Sequence, residues 1–202
     1  MTRIKICGLK RPADIDAVNR LRPDYVGFVF ARSSSRYVSP EQAARLRQML
    51  RKDIIAVGVI VDASFDEIVA LIRDGVIDMI QLHGAQDEDY IRRLKSLSDA
   101  PVIKALAITG PDDARRQADT AADFLLLDSG GGGTGQRFDW SWLRTERPRK
   151  PWFLAGGLNP GNVVQAIAAA CPFAVDVSSG VETNGSKDYA KISEFISAVR
   201  GL

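Results

Sequence analysis

Two side chains stand where a proton could be taken and another delivered. Cys7 closes the apolar run RIKIC (3–7) and is followed at once by Gly8. Asp128 closes FLLLD (124–128) and opens into SGGGG, with five glycines among the seven residues after Asp128-Ser129. A thiol of ordinary pKa, about 8.5, is only a few per cent ionised at neutral pH, but in a cationic pocket it becomes a competent base or nucleophile. A carboxyl beneath a glycine loop able to close over a ligand suits the complementary acid. Acting on different atoms of one small molecule, such a pair does proton-transfer chemistry. Taken alone, a cysteine at a strand end is more often a small buried hydrophobe, and an aspartate there can simply cap its loop. Position is what raises both above that background.

Other chemistry-bearing residues fall at similar points. LAGGLNP (154–160) and DVSSGVE (176–182) supply glycines and serines whose backbone N–H groups can hold a phosphate, so Gly156, Gly157, Ser179 and Gly180 are candidate phosphate contacts. His83, the only histidine, ends MIQLH and reads as a lining residue. Lys104, inside VIKAL, invites a Schiff-base role, but its mid-strand position favours a buried ion pair. Cys171 and RPRK (147–150) read as structural and solvated, and Trp140 and Trp142 as packing where a sixth helix begins.

The elements that must position these residues recur regularly. Eight runs rich in Val, Ile and Phe read as strands: 3–7, 25–30, 54–61, 79–83, 102–106, 124–128, 152–156 and 173–178. Continuous apolar runs of this kind suit parallel strands covered on both faces. Between them lie segments of helical spacing, among them 40–51, 65–74, 160–170 and 189–200. Ser39 before Pro40, Ser64 before a run containing Glu67, and Asn159 before Pro160 read as helix starts. Eight alternating units predict a (β/α)8 barrel occupying 1–202 as one catalytic domain, with a doubly wound open sheet as the other architecture. In the barrel, active sites form at the C-terminal strand ends, where Cys7, Asp62, His83, Asp128, Gly156-Gly157 and Ser178-Ser179-Gly180 all fall. Strand parity puts Cys7 on one face with Arg3 and Lys5, pointing into the mouth.

Composition narrows the partner. Twenty-seven basic and twenty-five acidic residues leave a net charge of +2, too balanced for a protein that grips nucleic acid backbones. No stretch approaches the roughly 20 apolar residues of a membrane span, and MTRIKICG lacks the apolar run of a secretion signal. Two cysteines exclude a disulfide framework. A cytoplasmic protein, monomer or homodimer, acting on a small phosphorylated molecule is the expectation.

Six ordered motifs carry a family likeness: KICGL (5–9), GFVF with SSRYVSP (27–40), QLHG (81–84), LLLDS with GGTG and FDW (125–140), LAGGL (154–158) and DVSSGVE (176–182). With them the chain resembles the phosphoribosylanthranilate isomerase family of tryptophan biosynthesis nearly end to end. The resemblance implies an Amadori rearrangement, of the aldose–ketose type, without cofactor or metal. It also implies roles: Asp128 as general acid on the furanose ring oxygen, Cys7 as general base at C2, Arg36 facing the anthranilate carboxylate, and Asp176 near the bridging amine. The phosphate falls to Gly156, Gly157, Ser179 and Gly180. A related sugar-phosphate isomerase of histidine biosynthesis is the nearest competing assignment, and an aspartate would be expected there in place of Cys7. A non-catalytic phosphate-binding barrel and a Lys104 aldolase complete the alternatives.

Overall fold

The computed structural model describes residues 1–110, 113, 120–129, 139–140, 142 and 148–201. Eight parallel strands close into a barrel in sequence order: β1 (Arg3–Cys7), β2 (Tyr25–Val29), β3 (Ile55–Ile60), β4 (Met79–Leu82), β5 (Val102–Ala107), β6 (Phe124–Asp128), β7 (Trp152–Leu154) and β8 (Ala174–Val177). β1 pairs with β8, with Lys5 opposite Asp176, which completes the circle and rules out the open sheet.

Residue parity sorts each strand into an outer and an inner set. Outward residues such as Ile4, Ile6, Val26, Ile80, Leu125 and Val175 join the helices in a continuous apolar layer. Inward residues Tyr25, Val57, Met79, Ile103, Leu126, Phe153 and Ala174 fill the barrel. Above them Cys7 packs with Val29 and Val59 at the mouth, on the face strand parity predicts.

Among the described residues the surrounding helices are α1 (Pro12–Leu21), α2 (Pro40–Met49), α3 (Phe65–Arg73), α4 (Glu88–Leu97), α5 (Val163–Ala170) and α6 (Tyr189–Arg200). Ser39 caps α2 by accepting from the Gln42 N–H, and Ser64 with Glu67 forms a capping box at α3, as their spacing predicts. The expected start of α5 at Asn159-Pro160 is displaced. Asn162 is the N-cap, and Asn159 instead closes a preceding turn through its Oδ1 to the Gly161 N–H at 2.9 Å. After β8 come a 3-10 turn (Ser179–Val181) and a short hairpin, β9 (Glu182–Thr183) and β10 (Ser186–Lys187), that the strand pattern did not reveal. Among the described residues no helix is long and apolar enough to cross a membrane.

Candidate active site

The thiol sits in a slot the fold keeps open for it. Cys7 pairs with Gly27 of β2, and a Cβ placed at Gly27 would lie 2.6 Å from its Sγ, so only glycine leaves the sulfur room. Two residues earlier on the same face, fully buried Lys5 donates from Nζ to Asp176 Oδ2 at 2.9 Å. Burial alone would pull the Lys5 ammonium down, but Asp176 and Cys7 oppose it and leave it above its ordinary value. Burial pushes the Cys7 thiol up; the Lys5 and Lys187 ammonium groups pull the other way without overcoming it. The cationic surroundings expected from sequence are therefore present, yet the resting thiol keeps its proton. The second oxygen of Asp176, Oδ1, is buried with no hydrogen-bond partner, an acceptor free to meet a donor in the mouth.

Asp128 lies three strands from Cys7 around the closed barrel, on β6. Its Oδ1 accepts from the Ser129 N–H at 2.7 Å, and its Oδ2 lies 3.9 Å from His83 Nε2. His83 points inward from the end of β4, with Gln81 Nε2 3.3 Å from its Nδ1. The ring's other nitrogen, Nε2, is the one that faces Asp128. Burial lowers the His83 pKa more than Asp128 raises it, so the ring is neutral at pH 7.

The two candidate phosphate loops touch. A Cβ at Gly180 would lie 1.9 Å from the Leu158 carbonyl oxygen, so glycine at 180 is what lets the loop after β8 press against the loop after β7. Gly156 and Gly157 both take positive φ, 85° and 64°, and a Cβ at Gly156 would lie 2.9 Å from Asp128 Oδ1. The phosphate loops thus border the candidate acid.

Arg36 reaches the same mouth by lying over Gly8, where a Cβ would meet its Cδ at 2.5 Å. It is not a solvated loop charge. Its Nε and Nη2 donate to Glu182 Oε1 and Oε2, both at 2.8 Å, and Lys187 Nζ donates to the same Oε1 at 2.6 Å. Sequence reasoning assigned nothing to Glu182 or Lys187, although Asn184-Gly185 is the standard signal of a two-residue hairpin. Both residues adopt positive φ, 51° and 72°, and the turn sets Glu182 opposite Lys187.

Partial burial raises the Glu182 carboxyl, but Arg36 and Lys187 overcome it and hold the pKa at about 2. A folded pKa below the unfolded carboxylate value gives stability that is fully present above about pH 4.5 and is lost as pH falls toward about 2. Glu182→Gln is therefore expected to melt lower than the parent at pH 7, with the gap in Tm closing between about pH 4.5 and 2; a gap constant with pH would contradict this.

Lys104 departs from expectation. Its outward parity places it with Val102 and Leu106, away from the barrel interior that Ile103 occupies. It donates to the Gly84 carbonyl at 2.7 Å rather than forming an ion pair, and burial lowers its pKa. A Schiff-base lysine needs to face the mouth, so the aldolase alternative falls. Cys171 is the exposed C-cap of α5, and Trp140 and Trp142 pack against the outer core. The glycine-rich loop beyond Ser129, most of the segment between β5 and β6, and most of the segment after Asp139 where the sequence predicts a sixth helix lie outside the described residues. A cavity of about 690 Å³ opens between α2 and α3, lined by Phe30, Tyr37, Ala44, Ile60 and Leu71. Of the strand-end residues singled out in the sequence it contains Asp62 alone, and the barrel mouth is where Cys7, His83, Asp128 and Asp176 converge.

Comparison with known proteins gives the same picture. A family model described as N-(5'phosphoribosyl)anthranilate (PRA) isomerase matches residues 4–198. An N-(5'-phosphoribosyl)anthranilate isomerase from Endomicrobium trichonymphae is 47% identical over 206 residues, covering all of both chains. A crystal structure of the enzyme from Thermotoga maritima is 38% identical with a TM-score of 0.90, again over the whole of both chains. A phosphoribosyl anthranilate isomerase solved with reduced 1-(o-carboxyphenylamino)-1-deoxyribulose 5-phosphate is 36% identical, with a TM-score of 0.88 and full coverage of both chains.

Proposed function

The chain belongs to the N-(5'-phosphoribosyl)anthranilate isomerase family and is an isomerase of tryptophan biosynthesis, and from that premise we propose how its own residues carry the reaction. The observation that supports the assignment most directly is the placement of Cys7 and Asp128 at inward strand ends on roughly opposite sides of one mouth. Asp128, as general acid, gives its proton to the furanose ring oxygen, the C1–O bond breaks, and the nitrogen lone pair forms the C1=N Schiff base. Cys7 acts from its minor thiolate form, the resting S–H proton having passed to solvent water; it takes the C2 proton, and the C–H electron pair moves to give the enolamine. Return of the sulfur's proton to C1 and loss of the enol proton to Asp128 yield the ketone with both groups restored. Lys5 and Lys187 supply the positive charge that a buried thiolate requires.

In this assignment Arg36 faces the anthranilate carboxylate, Asp176 Oδ1 accepts from the bridging amine, and His83 lines the mouth beside Asp128. The phosphate lies between Gly156-Gly157 and Ser179-Gly180. The 1–202 barrel acts as a single catalytic domain, in the cytoplasm, as a monomer or homodimer. Cysteine at position 7 favours this substrate over that of the histidine-pathway isomerase, for which aspartate is the expected residue. A fluorescence assay of phosphoribosylanthranilate consumption, with the histidine-pathway aminoaldose phosphate run in parallel, is expected to show turnover of the first alone. Turnover confined to the second would overturn the assignment.

The phosphate site has its own test. Substitutions at Gly180 would collide with Leu158, so Ser179→Asp is the informative change. Its added negative charge is expected to raise KM by at least about tenfold by repelling the phosphate, with a smaller change in kcat. An unchanged KM would remove the anion from this loop.

A further inference from the structure

We propose that Glu182 is a positioning residue for substrate specificity: it clamps one edge of the Arg36 guanidinium and so presents the other edge to the aryl carboxylate. The proposal rests on the assignment of Arg36 as the carboxylate's partner. A guanidinium carries five N–H donors. Glu182 takes the Nε–H and one Nη2–H as a two-bond fork at 2.8 Å each. One Nη1 hydrogen and the remaining Nη2 hydrogen lie parallel on the next edge, a second fork of the geometry a carboxylate accepts, while the other Nη1 hydrogen turns back toward Cδ.

The carboxylate is itself held firmly. Lys187 Nζ donates to Glu182 Oε1, to the Ser178 carbonyl at 2.9 Å and to Ser178 Oγ at 3.3 Å, while Lys191 Nζ donates to the Glu182 carbonyl at 2.7 Å. The hairpin therefore ties the arginine at one end of the substrate to the loop at its phosphate end. Ser178 Oγ in turn donates to the Cys7 carbonyl at 3.1 Å, so the same network reaches the strand end that carries the thiol.

Two effects of removing the Glu182 charge oppose one another. A bare Arg36 would attract an anion more strongly, which favours tighter binding. However, without Glu182 two cations share one pocket, and the side chain of Lys187 is 2% exposed against 18% for Arg36. Arg36 is the more exposed of the two, so the repulsion drives it outward, and the presented edge is lost. Loss of orientation outweighs the gain in potential because a fork that must be reassembled on binding forfeits its preorganisation.

The test uses two ligands, reduced 1-(o-carboxyphenylamino)-1-deoxyribulose 5-phosphate and the phenylamino counterpart lacking the carboxylate, with Kd measured by calorimetry on the full chain. Glu182→Gln is expected to weaken the first at least tenfold and the second less than threefold. The second ligand also reports an intact phosphate site, hence a folded variant. Glu182→Asp keeps the charge that balances Lys187 but shortens the reach, and is expected to show the same selectivity in smaller measure. In an Arg36→Met background, Glu182→Gln should add no further discrimination between the ligands. Equal weakening of both ligands would make Glu182 merely structural, and tighter binding of the carboxylate ligand would make it a competitor for Arg36; either overturns the proposal while Arg36→Met alone still discriminates. Failure of Arg36→Met to discriminate would overturn the assignment of Arg36, and the proposal with it.

Discussion

Cys7→Ser is expected to lower kcat by at least about three orders of magnitude, a loss of about 4 kcal/mol in transition-state stabilisation, while the barrel stays folded. Serine fits wherever the thiol fits, because the slot beside Gly27 is limited by the size of the sulfur. What it cannot do is ionise: a hydroxyl gives no useful anion at neutral pH, even with Lys5 and Lys187 nearby. The same geometry predicts the reactivity of the parent thiol. Burial raises Cys7 above its ordinary value despite the two ammonium groups, so alkylation by iodoacetamide should be slow at pH 7 and still accelerating above pH 9. Cys171 is exposed and would react as well, so the measurement belongs in a Cys171→Ser background, itself expected to turn over at the normal rate. A bound product analogue should protect Cys7 by covering the mouth. Near-normal turnover of folded Cys7→Ser would sink the mechanism even with the family assignment intact.

The sequence carries the fold because most of the strands are nearly continuous apolar runs, a pattern that buried parallel strands impose. The β1 and β6 runs coincide with the observed strands to the residue. Departures occur where a local signal competes with a stronger one nearby. Asn159-Pro160 resembles a helix start, but residues 159–162 form a turn that Asn162 closes by accepting at Oδ1 from the Asn159 N–H and donating from Nδ2 to the Gly157 carbonyl, so the helix begins only at Val163. Lys104 shows what parity adds: VIKAL alternates, and once Ile103 faces inward its neighbour must face out.

The site was legible only as far as single residues reveal it. Cys7, Asp128 and His83 advertise themselves by lying at strand ends, but their partners come from distant parts of the chain. Lys5 and Asp176 meet 171 positions apart because β1 closes against β8, and Arg36 and Glu182 meet 146 apart through a hairpin. Periodicity contains neither pairing. The protonation of Cys7 is a further case: cations near a thiol can be inferred from Lys5 two residues away, whereas the burial that outweighs them depends on the packing of Val29 and Val59 above the barrel core.

Asp128→Asn should be as severe as the loss of the thiol, for a separable reason. The amide oxygen can still accept from the Ser129 N–H, the bond that now fixes Oδ1 at 2.7 Å, so the side chain should keep its place. An amide has no transferable proton for the ring oxygen, and the nearest substitute is poor. His83 Nε2 lies 3.9 Å from Oδ2, but burial keeps the ring neutral at pH 7, and a neutral imidazole is a far weaker acid than the imidazolium. Ring opening should then limit the rate. With substrate deuterated at C2, Cys7→Ser is expected to show a primary kinetic isotope effect, because C–H cleavage is its slow step, whereas Asp128→Asn should show almost none. An isotope effect of equal size in both variants would mean that Asp128 does not act at the ring oxygen, and that the two groups serve the same proton transfer.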